Sequence, residues 1–312
     1  MPAVLITGGT GLIGKNLTRH LTAKGFEVII LSRKPLRLSE NPLVTYANWN
    51  IDEQKIDSIA IAKADYIINL AGAGVMEKKW TKKYKKEIVE SRTKSSEFLI
   101  KVLQENANHV SAIISASAIG WYGRDTKPLL HKEGFIETDT ADEKFLGETC
   151  RLWEENIEPV TKLNKRLVKL RTGIVLSNEG AAFAEFKKPL RFGIAGILGG
   201  GKQVISWIHI DDLCRMFIYA IENEPLSGSY NAVAPLPVDN KKLILKLAKM
   251  MRGQFYIPIH VPQFFLKLIL GERSTEILKS ATVSCEKIKT AGFTFLYPTI
   301  DAALKELTGN KS

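Results

Sequence analysis

The chain has 312 residues, a formal net charge of +11 and an ordinary globular composition, which fits one large domain or a domain with an appendage and excludes a disordered or fibrous protein. No apolar stretch approaches the roughly 20 residues that a membrane-spanning helix needs, because the segment 264–270 is short and interrupted by Lys267. The three cysteines are far apart and lack metal-ligand spacing, so we expect no metal and reduced thiols in a cytoplasmic protein.

The first predicted element is a buried strand that runs into a glycine-rich turn. Residues 3–6 are apolar and residues 7–14 read TGGTGLIG, followed by a helical apolar pattern over Leu12–Lys24. We expect no signal peptide, because the chain enters this strand at once. Strand, turn and helix in this order place a dinucleotide pyrophosphate on unpaired N–H groups at a helix N-terminus. The predicted phosphate-binding residues are Gly8, Thr10, Gly11, Leu12, Ile13 and Gly14.

The second predicted strand, Val28–Leu31, ends in Ser32, Arg33 and Lys34. An NAD-binding unit would carry an Asp or Glu here to hold the ribose 2′-hydroxyl. A carboxylate would repel a 2′-phosphate, whereas Arg33 can meet it with charge-assisted hydrogen bonds. We therefore predict NADP(H) as the cofactor, bound by Ser32 and Arg33; the alternative is a basic solvated loop.

Apolar runs and helical patterns then alternate along the chain, as a doubly wound α/β Rossmann fold with a parallel sheet requires. The predicted strands are Val4–Ile6, Val28–Leu31, Leu43–Tyr46, Tyr66–Leu70, Ala112–Ser115 and Leu167–Leu170. The predicted helices are Leu12–Lys24, Thr81–Asn106, Leu146–Leu163 and Ile210–Glu222.

The positive charge is densest over Lys78–Lys86, where the sequence is KKWTKKYKK. A solvated helix face is the favoured interpretation, because apolar positions such as Ile88 and Leu99 face inward along the same helix. No recognised nucleic-acid module is present, so we expect no nucleic-acid partner. An anionic substrate or cofactor also accounts for the charge.

The alternation ends after Thr172. Residues 173–201 are rich in glycine and predict a loop region on the substrate side, and residues 225–237 predict another loop. From Asp239 onward the patterns are helical, over 243–251, 264–270, 276–281 and a last helix after Thr299. We therefore expect a nucleotide-binding domain over 1–235, with 173–205 contributing to the substrate side, and a small, mainly helical lobe over 236–312.

Ligands of open α/β sheets bind beyond the carboxyl ends of the strands, so the residues there are the next candidates. Small residues after the fourth strand allow a ribose or adenine to approach the backbone, although close packing would also explain them. The next strand ends in hydroxyl groups, and a loop after the sixth can hold the nicotinamide carboxamide. The corresponding site residues are Leu70, Ala71, Gly72, Ser115, Ser117, Tyr122, Gly173 and Ile174.

Six segments, in order along nearly the whole chain, carry a resemblance to a known family. They are ITGGTGLIG at 6–14, NLAGAG at 69–74, SASAIG at 115–120, RTGIVL at 171–176, SWIHIDDL at 206–213 and GFTFLYP at 292–298. With these segments the chain resembles the extended short-chain dehydrogenase/reductase superfamily and, within it, the atypical YfcH-like epimerase family. The resemblance implies an NADP-binding Rossmann domain and a short carboxyl-terminal domain without an assigned function.

The resemblance also implies chemistry by a Tyr and a Lys one helical turn apart, in the pattern Y-x-x-x-K. The helix that should carry this pair offers Leu146 and Cys150 in one register, and Phe145 and Thr149 when shifted by one residue. Neither register supplies a phenol or an amine, so the usual acid–base pair is absent.

Ser117 and Tyr122 remain as the catalytic candidates. Ser117 is predicted either to orient the substrate or to contact the cofactor, and Tyr122 to form a pocket wall or to act as an acid. Cys150 is better explained as a buried thiol than as a nucleophile, because no His lies near it in the sequence. The sequence HIDD at 209–212 is predicted to be a strand-to-helix junction in which Asp211 or Asp212 caps the helix.

The sequence thus predicts an NADP(H)-binding oxidoreductase or epimerase-like protein that acts on an unidentified small molecule, anionic or sugar-like. One alternative is a non-catalytic NADP(H) sensor or scaffold. A second alternative is an RNA-binding protein that uses Lys78–Lys86. The oligomeric state is left open, with a homodimer as one arrangement compatible with the sequence.

Overall fold

An eight-stranded sheet organises the chain in a computed structural model that describes residues 1–33, 39–125 and 134–309. The strands are β1 (Ala3–Thr7), β2 (Glu27–Ser32), β3 (Val44–Asn50), β4 (Lys55–Ile56), β5 (Tyr66–Asn69), β6 (Ala112–Ala118), β7 (Arg166–Thr172), β8 (Ile174–Leu176), β9 (Ile194–Leu198), β10 (Val204–Ile205), β11 (Trp207–His209), β12 (Gly228–Ala232), β13 (Val238–Asp239) and β14 (Ile257–Val261). The helices are α1 (Leu12–Ala23), α2 (Ser58–Lys63), α3 (Lys82–Glu105), α4 (Phe145–Ile157), α5 (Ala181–Leu190), α6 (Ile210–Glu222), α7 (Asn240–Arg252), α8 (Gln263–Leu270), α9 (Ser274–Ile277), α10 (Glu286–Thr290) and α11 (Ile300–Thr308).

The main sheet has the order β12-β7-β6-β5-β1-β2-β3-β4. All its neighbouring pairs are parallel except β3 with the short edge strand β4. The strand order reverses direction at β1, with β5 on one side and β2 on the other. Such a switch point is where doubly wound folds bind ligands. The predicted Rossmann-type fold, with its six strands and a helical carboxyl-terminal region, is confirmed.

Both faces of the sheet are covered by helices, which explains why the strands are continuous apolar runs. Along β1, Val4 and Ile6 belong to one core, and Ala3 and Leu5 to the other, because successive side chains point to opposite faces. The first core packs against α1 and α6, and the second against α2 and α3.

A third core forms the second lobe and draws on two separate parts of the chain. It joins buried side chains from 176–207 to others from 234–307, among them Trp207, Phe183 and Leu243. The prediction of a loop region over 173–201 was wrong, because the segment contains the helix α5 and the strands β8 and β9. The boundary at residue 235 stays a prediction, although packing couples the preceding segment closely to the second lobe.

Two further expectations from the carboxyl-terminal half were wrong. The loop predicted over 225–237 contains β12, a full member of the main sheet paired in parallel with β7. The helix predicted over 276–281 is a single short turn, α9, which ends at Ile277. The sequence of β12 was too polar to indicate a strand, and the helical pattern over 276–281 was too short to specify a full helix.

The helix predicted over 264–270 is confirmed as α8, eight residues long. Leu266 is buried, whereas the neighbouring Phe264 and Leu268 are largely exposed. Within the described ranges, no helix combines the length and the apolar character needed to cross a membrane.

Candidate cofactor site

The turn after β1 has a backbone shape that only glycine accommodates. Gly8 has a φ of +68°, and a Cβ there would lie 2.8 Å from the Leu70 carbonyl oxygen. At Gly14 a Cβ would approach the backbone of Gly9 to 2.5 Å. Gly14 therefore lets α1 start directly against the turn, whereas a Cβ on Gly11 would meet only the Gly8 carbonyl oxygen, at 3.3 Å.

The N-terminus of α1 is open to a ligand. Gly11 is its N-cap residue; no side chain in the described ranges caps this helix, and its first turn contains no acidic residue. Thr10 and Gly11 are exposed, and Leu12 and Ile13 are half-buried. The first-turn N–H groups and the positive end of the helix dipole suit a phosphate. The cradle therefore fits the pyrophosphate of a dinucleotide.

The end of β2 lies beside this turn, because β2 pairs with β1 in register. Ser32 closes the strand, and Arg33 follows it with an exposed side chain. Lys34 lies outside the described residues. Arg33 is thus available to an anionic group bound next to the turn.

Thr7 fixes the end of β5 against the end of β1. Its hydroxyl donates to Asn69 Oδ1 (2.7 Å) and accepts the N–H groups of Leu70 and Ala71 (3.1 Å each). Leu70 and Ala71 are half-buried, and Gly72 is exposed at the sheet edge. This arrangement keeps the predicted Leu70–Gly72 surface directly beside the glycine turn.

Ser115 belongs to the layer beneath that surface. Its side chain is fully buried, and its hydroxyl accepts a hydrogen bond from Asn69 Nδ2 at 3.3 Å. The structure therefore places Ser115 where it supports the Thr7–Asn69 pair. A direct contact of Ser115 with the cofactor stays a prediction that this burial does not favour.

Ser117 and Tyr122 are brought together by a buried polar network at the ends of β6 and β7. Ser117 donates to Glu154 Oε1 (2.7 Å), and Arg171 donates to both carboxylate oxygens of Glu154 (2.8 and 3.0 Å). Arg171 also donates to the Tyr122 hydroxyl (3.1 Å), which in turn donates to Asn231 Oδ1 (2.7 Å). Both candidate hydroxyls are thus committed to partners inside the protein.

The charges of this network explain its protonation states. Burial alone would raise the pKa of Glu154, but the Arg171 guanidinium and the Ser117 hydroxyl outweigh it and lower that pKa. Burial raises the pKa of Tyr122 far above its usual value, despite the opposing Arg171. Glu154 is therefore a carboxylate, and Tyr122 a neutral phenol with no tendency to release its proton.

Helix α4 presents the positions where the Tyr and Lys were sought. A Cβ on Gly120 would lie 3.4 Å from Leu146 Cβ and 3.4 Å from Cys150 Sγ, so both side chains pack beside the end of β6. Burial raises the pKa of Cys150 to about 12. This face of α4 is therefore apolar and holds a protonated thiol.

A second buried arginine, Arg92 of α3, lies near the same face. Its guanidinium is 4.9 Å from the centroid of the Trp153 ring, and Arg92 is among the charges that act on Cys150. Its Nη1 donates to the carbonyl oxygens of Ala73 (3.1 Å) and Ile88 (2.8 Å). Sequence reasoning passed over Arg92, Glu154, Arg171 and Asn231. The sequence held a signal for two of them, in the Arg that opens RTGIVL at 171–176 and in Glu154, which corresponds to an acidic position of the superfamily.

Gly173 and Ile174 lie just past the end of β7. A Cβ on Gly173 would lie 2.8 Å from the Ser206 carbonyl oxygen, so the loop needs a glycine there. The Gly173 N–H donates to Ala232 and the Ile174 N–H to Ser206. A contact between this loop and the nicotinamide carboxamide stays a prediction. The Ile174 side chain is partly exposed and is the part of the loop that a ligand could reach.

The HIDD segment has a structural role, but its capping residue was predicted wrongly. His209 is the N-cap of α6, and its Nδ1 accepts the Asp211 N–H at 3.2 Å. Asp212 is fully buried and accepts the N–H groups of Leu296 and Tyr297 (2.8 Å each). A histidine ring nitrogen takes the place of a carboxylate because Asp212 faces the carboxyl-terminal segment instead.

The basic segment 78–86 is a solvated surface with nearby carboxylates. Thr81 caps α3, and Lys78 and Lys86 pair with Glu87 (3.3 Å) and Glu90 (3.6 Å). These exposed pairs partly neutralise the segment. Across the ranges that the structure describes, no cluster of His, Cys, Asp and Glu has the arrangement of a metal site.

The chain matches two families and is similar to proteins of several organisms. Residues 4–145 match the NAD dependent epimerase/dehydratase family, and residues 261–307 match a domain of unknown function, DUF1731. The epimerase family protein YfhF of Bacillus subtilis (strain 168) is 35% identical over 308 residues, which cover 99% of this chain and 98% of YfhF. The epimerase family protein SSP1921 of Staphylococcus saprophyticus is 35% identical over 309 residues, which cover 98% and 99%. Human epimerase family protein SDR39U1 (isoform 2), solved with NADPH, has 27% identity and a TM-score of 0.84, over 99% of this chain and 100% of that chain.

Proposed function

Because this chain belongs to the epimerase family, with a DUF1731 domain at its carboxyl end, we propose that it binds NADP(H) and acts as an oxidoreductase or epimerase-like protein on a small molecule. The observation that carries this proposal is the glycine cradle, in which Gly8 and Gly14 admit no side chain and the α1 N-terminus is uncapped. In this proposal the pyrophosphate lies on α1, and the adenosine 2′-phosphate meets Arg33 at the end of β2.

The preference for NADP(H) over NAD(H) rests on the exposed Arg33 and the absence of a carboxylate at the end of β2 among the described residues. The NADPH in the SDR39U1 structure supports the same choice. A hydrogen bond to a charged group contributes roughly 1.5–3 kcal/mol, so Arg33 accounts for a preference of about tenfold to hundredfold.

Calorimetric titration of NADPH and NADH tests this preference. Wild-type protein is expected to bind NADPH at least about tenfold more tightly than NADH, and Arg33→Asp to reverse the preference. Arg19→Gln, which changes another exposed arginine on α1, is the control and should leave the ratio unchanged. Equal affinities of the wild type for the two nucleotides would refute the assignment of NADP(H).

A bound nicotinamide would accept or donate a hydride at the carboxyl edge of the sheet. The chain's own contribution is to hold the cofactor at α1 and Arg33 and to enclose the far side with β6, β7 and α4. Leu146 and Cys150 offer no acid at that edge, and the hydroxyls of Ser117 and Tyr122 are paired inside the network. We propose that any proton transfer relies on water or on the substrate, with Ser117 and Tyr122 as candidates only where the network opens.

A non-catalytic NADP(H) sensor is the second candidate function, and the closed network around Ser117 and Tyr122 favours it. Single-turnover assays with NADPH and a panel of carbonyl compounds and nucleotide sugars distinguish the two. Oxidation of NADPH that is lost in Ser117→Ala supports an enzyme with Ser117 in its site. Tight NADPH binding without turnover on any substrate of the panel supports the sensor. A cytoplasmic location is part of the proposal, since the three buried free thiols suit a reducing compartment.

A further inference from the structure

Arg92 is a buried cation that lacks a carboxylate partner within the described ranges. The residue is 9% exposed. Arg171, by comparison, is also buried but donates two hydrogen bonds to the Glu154 carboxylate. Among the described residues, only Nη1 of Arg92 finds acceptors, which are the carbonyl oxygens of Ala73 and Ile88. Nε and Nη2 carry three further N–H donors, for which the described residues provide no acceptor.

A buried charge without a counter-charge costs stability, and an anionic or oxygen-rich ligand beside it would offset that cost. Burial lowers the pKa of Arg92. Its neighbours Trp153 and Cys150 supply an aromatic face and a neutral thiol. Among the described residues, the site therefore combines positive charge and free N–H donors at Nε and Nη2 with oxygen acceptors for Nη1 alone.

The guanidinium lies against the exposed surface at the end of β5. A Cβ on Gly72 would be 3.0 Å from Arg92 Cζ and 3.3 Å from Nε, so the side chain lies flat against this glycine. Gly72 is exposed and lies two residues beyond Leu70, which Thr7 holds against the glycine turn. Arg92 therefore flanks the path by which a ligand bound at the turn continues over β5.

The order of the strands determines which half of the ligand follows that path. In the sheet, β5 and β2 flank β1 on opposite sides. A dinucleotide with its pyrophosphate at the β1 turn and its adenosine at the end of β2 extends its other half over β5 and β6. That half is a ribose phosphate that carries nicotinamide, and its hydroxyl and phosphate oxygens are hydrogen-bond acceptors.

We propose that Arg92 binds the ribose-phosphate oxygens of the nicotinamide half of NADP(H), as the fixed cation that α4 does not supply. The inference rests on the proposed NADP(H) binding and assigns a residue to one half of that ligand. Arg92 holds the nicotinamide ribose in place and moves no proton, because a guanidinium stays protonated in proteins.

The test compares NADPH with 2′,5′-ADP, which keeps the adenosine 2′-phosphate and lacks the nicotinamide half. Arg92→Met, which removes the charge but keeps an unbranched chain, should weaken NADPH binding at least about tenfold, which equals about 1.4 kcal/mol, and change 2′,5′-ADP affinity less than twofold. Arg92→Lys should lose less NADPH affinity. Arg33→Gln is the reciprocal control and should weaken both ligands. Circular dichroism and thermal unfolding verify that each variant is folded.

Equal losses for both ligands, or no loss for either, overturn the role of Arg92 while NADP(H) binding by the wild type still stands. A wild type that binds neither ligand refutes the proposed function and the role of Arg92 with it. Crystals of the wild-type protein with NADPH give a test that needs no variant. Nε or Nη2 of Arg92 within about 3.2 Å of a nicotinamide ribose or phosphate oxygen supports the proposal, and a larger separation overturns it.

Discussion

Replacing Glu154 with glutamine should destabilise the protein strongly, although the two side chains have nearly the same shape. Glu154 is 4% exposed and Arg171 3% exposed, and they are joined by hydrogen bonds of 2.8 and 3.0 Å. The substitution leaves the Arg171 guanidinium buried without its counter-charge. It also turns an NH₂ donor toward Arg171 or toward the Ser117 and Ser229 hydroxyls. In the wild-type protein these two hydroxyls donate to the carboxylate.

Removing one partner of a buried ion pair costs about 3–5 kcal/mol. Glutamine keeps one acceptor oxygen, so we expect the lower end, about 3 kcal/mol in the free energy of unfolding. In a chain of this size each kcal/mol corresponds to about 2 °C, so the thermal midpoint should fall by about 6 °C. Thermal unfolding followed by near-ultraviolet circular dichroism at pH 7.5 measures this fall in the midpoint.

Glu155→Gln is the matched control for Glu154→Gln. It changes the next residue of the same helix, where the carboxylate is exposed and pairs with Arg151 on the surface. This control should leave the midpoint close to that of the wild type. Equal midpoints for the two variants would refute the conclusion that the buried pair supports the fold.

The pH dependence gives an independent test of the same pair. The pKa of Glu154 is lower in the folded protein than in the unfolded chain, because Arg171 and Ser117 stabilise the carboxylate. Its stabilising contribution is therefore complete above the unfolded pKa, near 4.3, and is lost as the pH falls through the lower folded value. The difference between the wild type and Glu154→Gln should be constant from pH 6 to 8 and should shrink below about pH 4.3.

Three further predictions concern the turn, the second lobe and the thiols. Gly8→Ala should prevent NADPH binding, because it adds a close backbone contact to an unfavourable φ, whereas Gly25→Ala (φ of +84°, no atom within 4 Å) adds only the φ strain and should still bind. Loss of binding in both variants would contradict this reasoning. Asp212→Asn should lower the free energy of unfolding by about 2 kcal/mol, since two buried N–H groups lose a charged acceptor; Asp211→Asn, at a partly exposed pair, should cost less in chemical denaturation. A thiol-reactive disulfide reagent at pH 8 should label the native protein slowly and the denatured protein quickly, because burial raises the pKa of each cysteine. Rapid labelling of the native protein at any thiol would contradict the burial of Cys150, Cys214 and Cys285.

The part of the fold that was predicted correctly is the part specified by local patterns. Strands such as β1 and β2 are buried on both faces and are therefore continuous apolar runs. β12 was missed because its sequence, GSYNA, is mostly polar. Its Ser229 and Asn231 hydrogen-bond to Glu154 and Tyr122, so tertiary contacts determine the composition of this strand.

The candidate site divides in the same way. The glycine turn was predictable because its residues are adjacent in sequence and each glycine has a local steric reason. The network around Glu154 joins residues from β6, α4, β7 and β12, and periodicity does not reveal which polar side chains meet. Sequence reasoning thus identified Ser117 and Tyr122 as hydroxyls near the strand ends but could not show that both are already paired.

The two buried arginines suggest why α4 carries no lysine. Cys150 and Arg92 lie close enough for the guanidinium to influence the thiol, and both are buried. An ammonium group at position 150 would place a second cation beside Arg92 in a region of low dielectric, with no carboxylate near Arg92 in the described part of the chain to offset the repulsion. The Glu154 carboxylate acts on position 150, but it does not offset this repulsion because it is already paired with Arg171. A positive charge on α3 therefore excludes a second one on the facing side of α4, so that only one of the two helices carries the cation at this edge of the sheet. Without the Y-x-x-x-K pair the chain lacks the usual phenol. In the proposal made above, the Arg92 guanidinium takes the place of the lysine as the cation beside the cofactor.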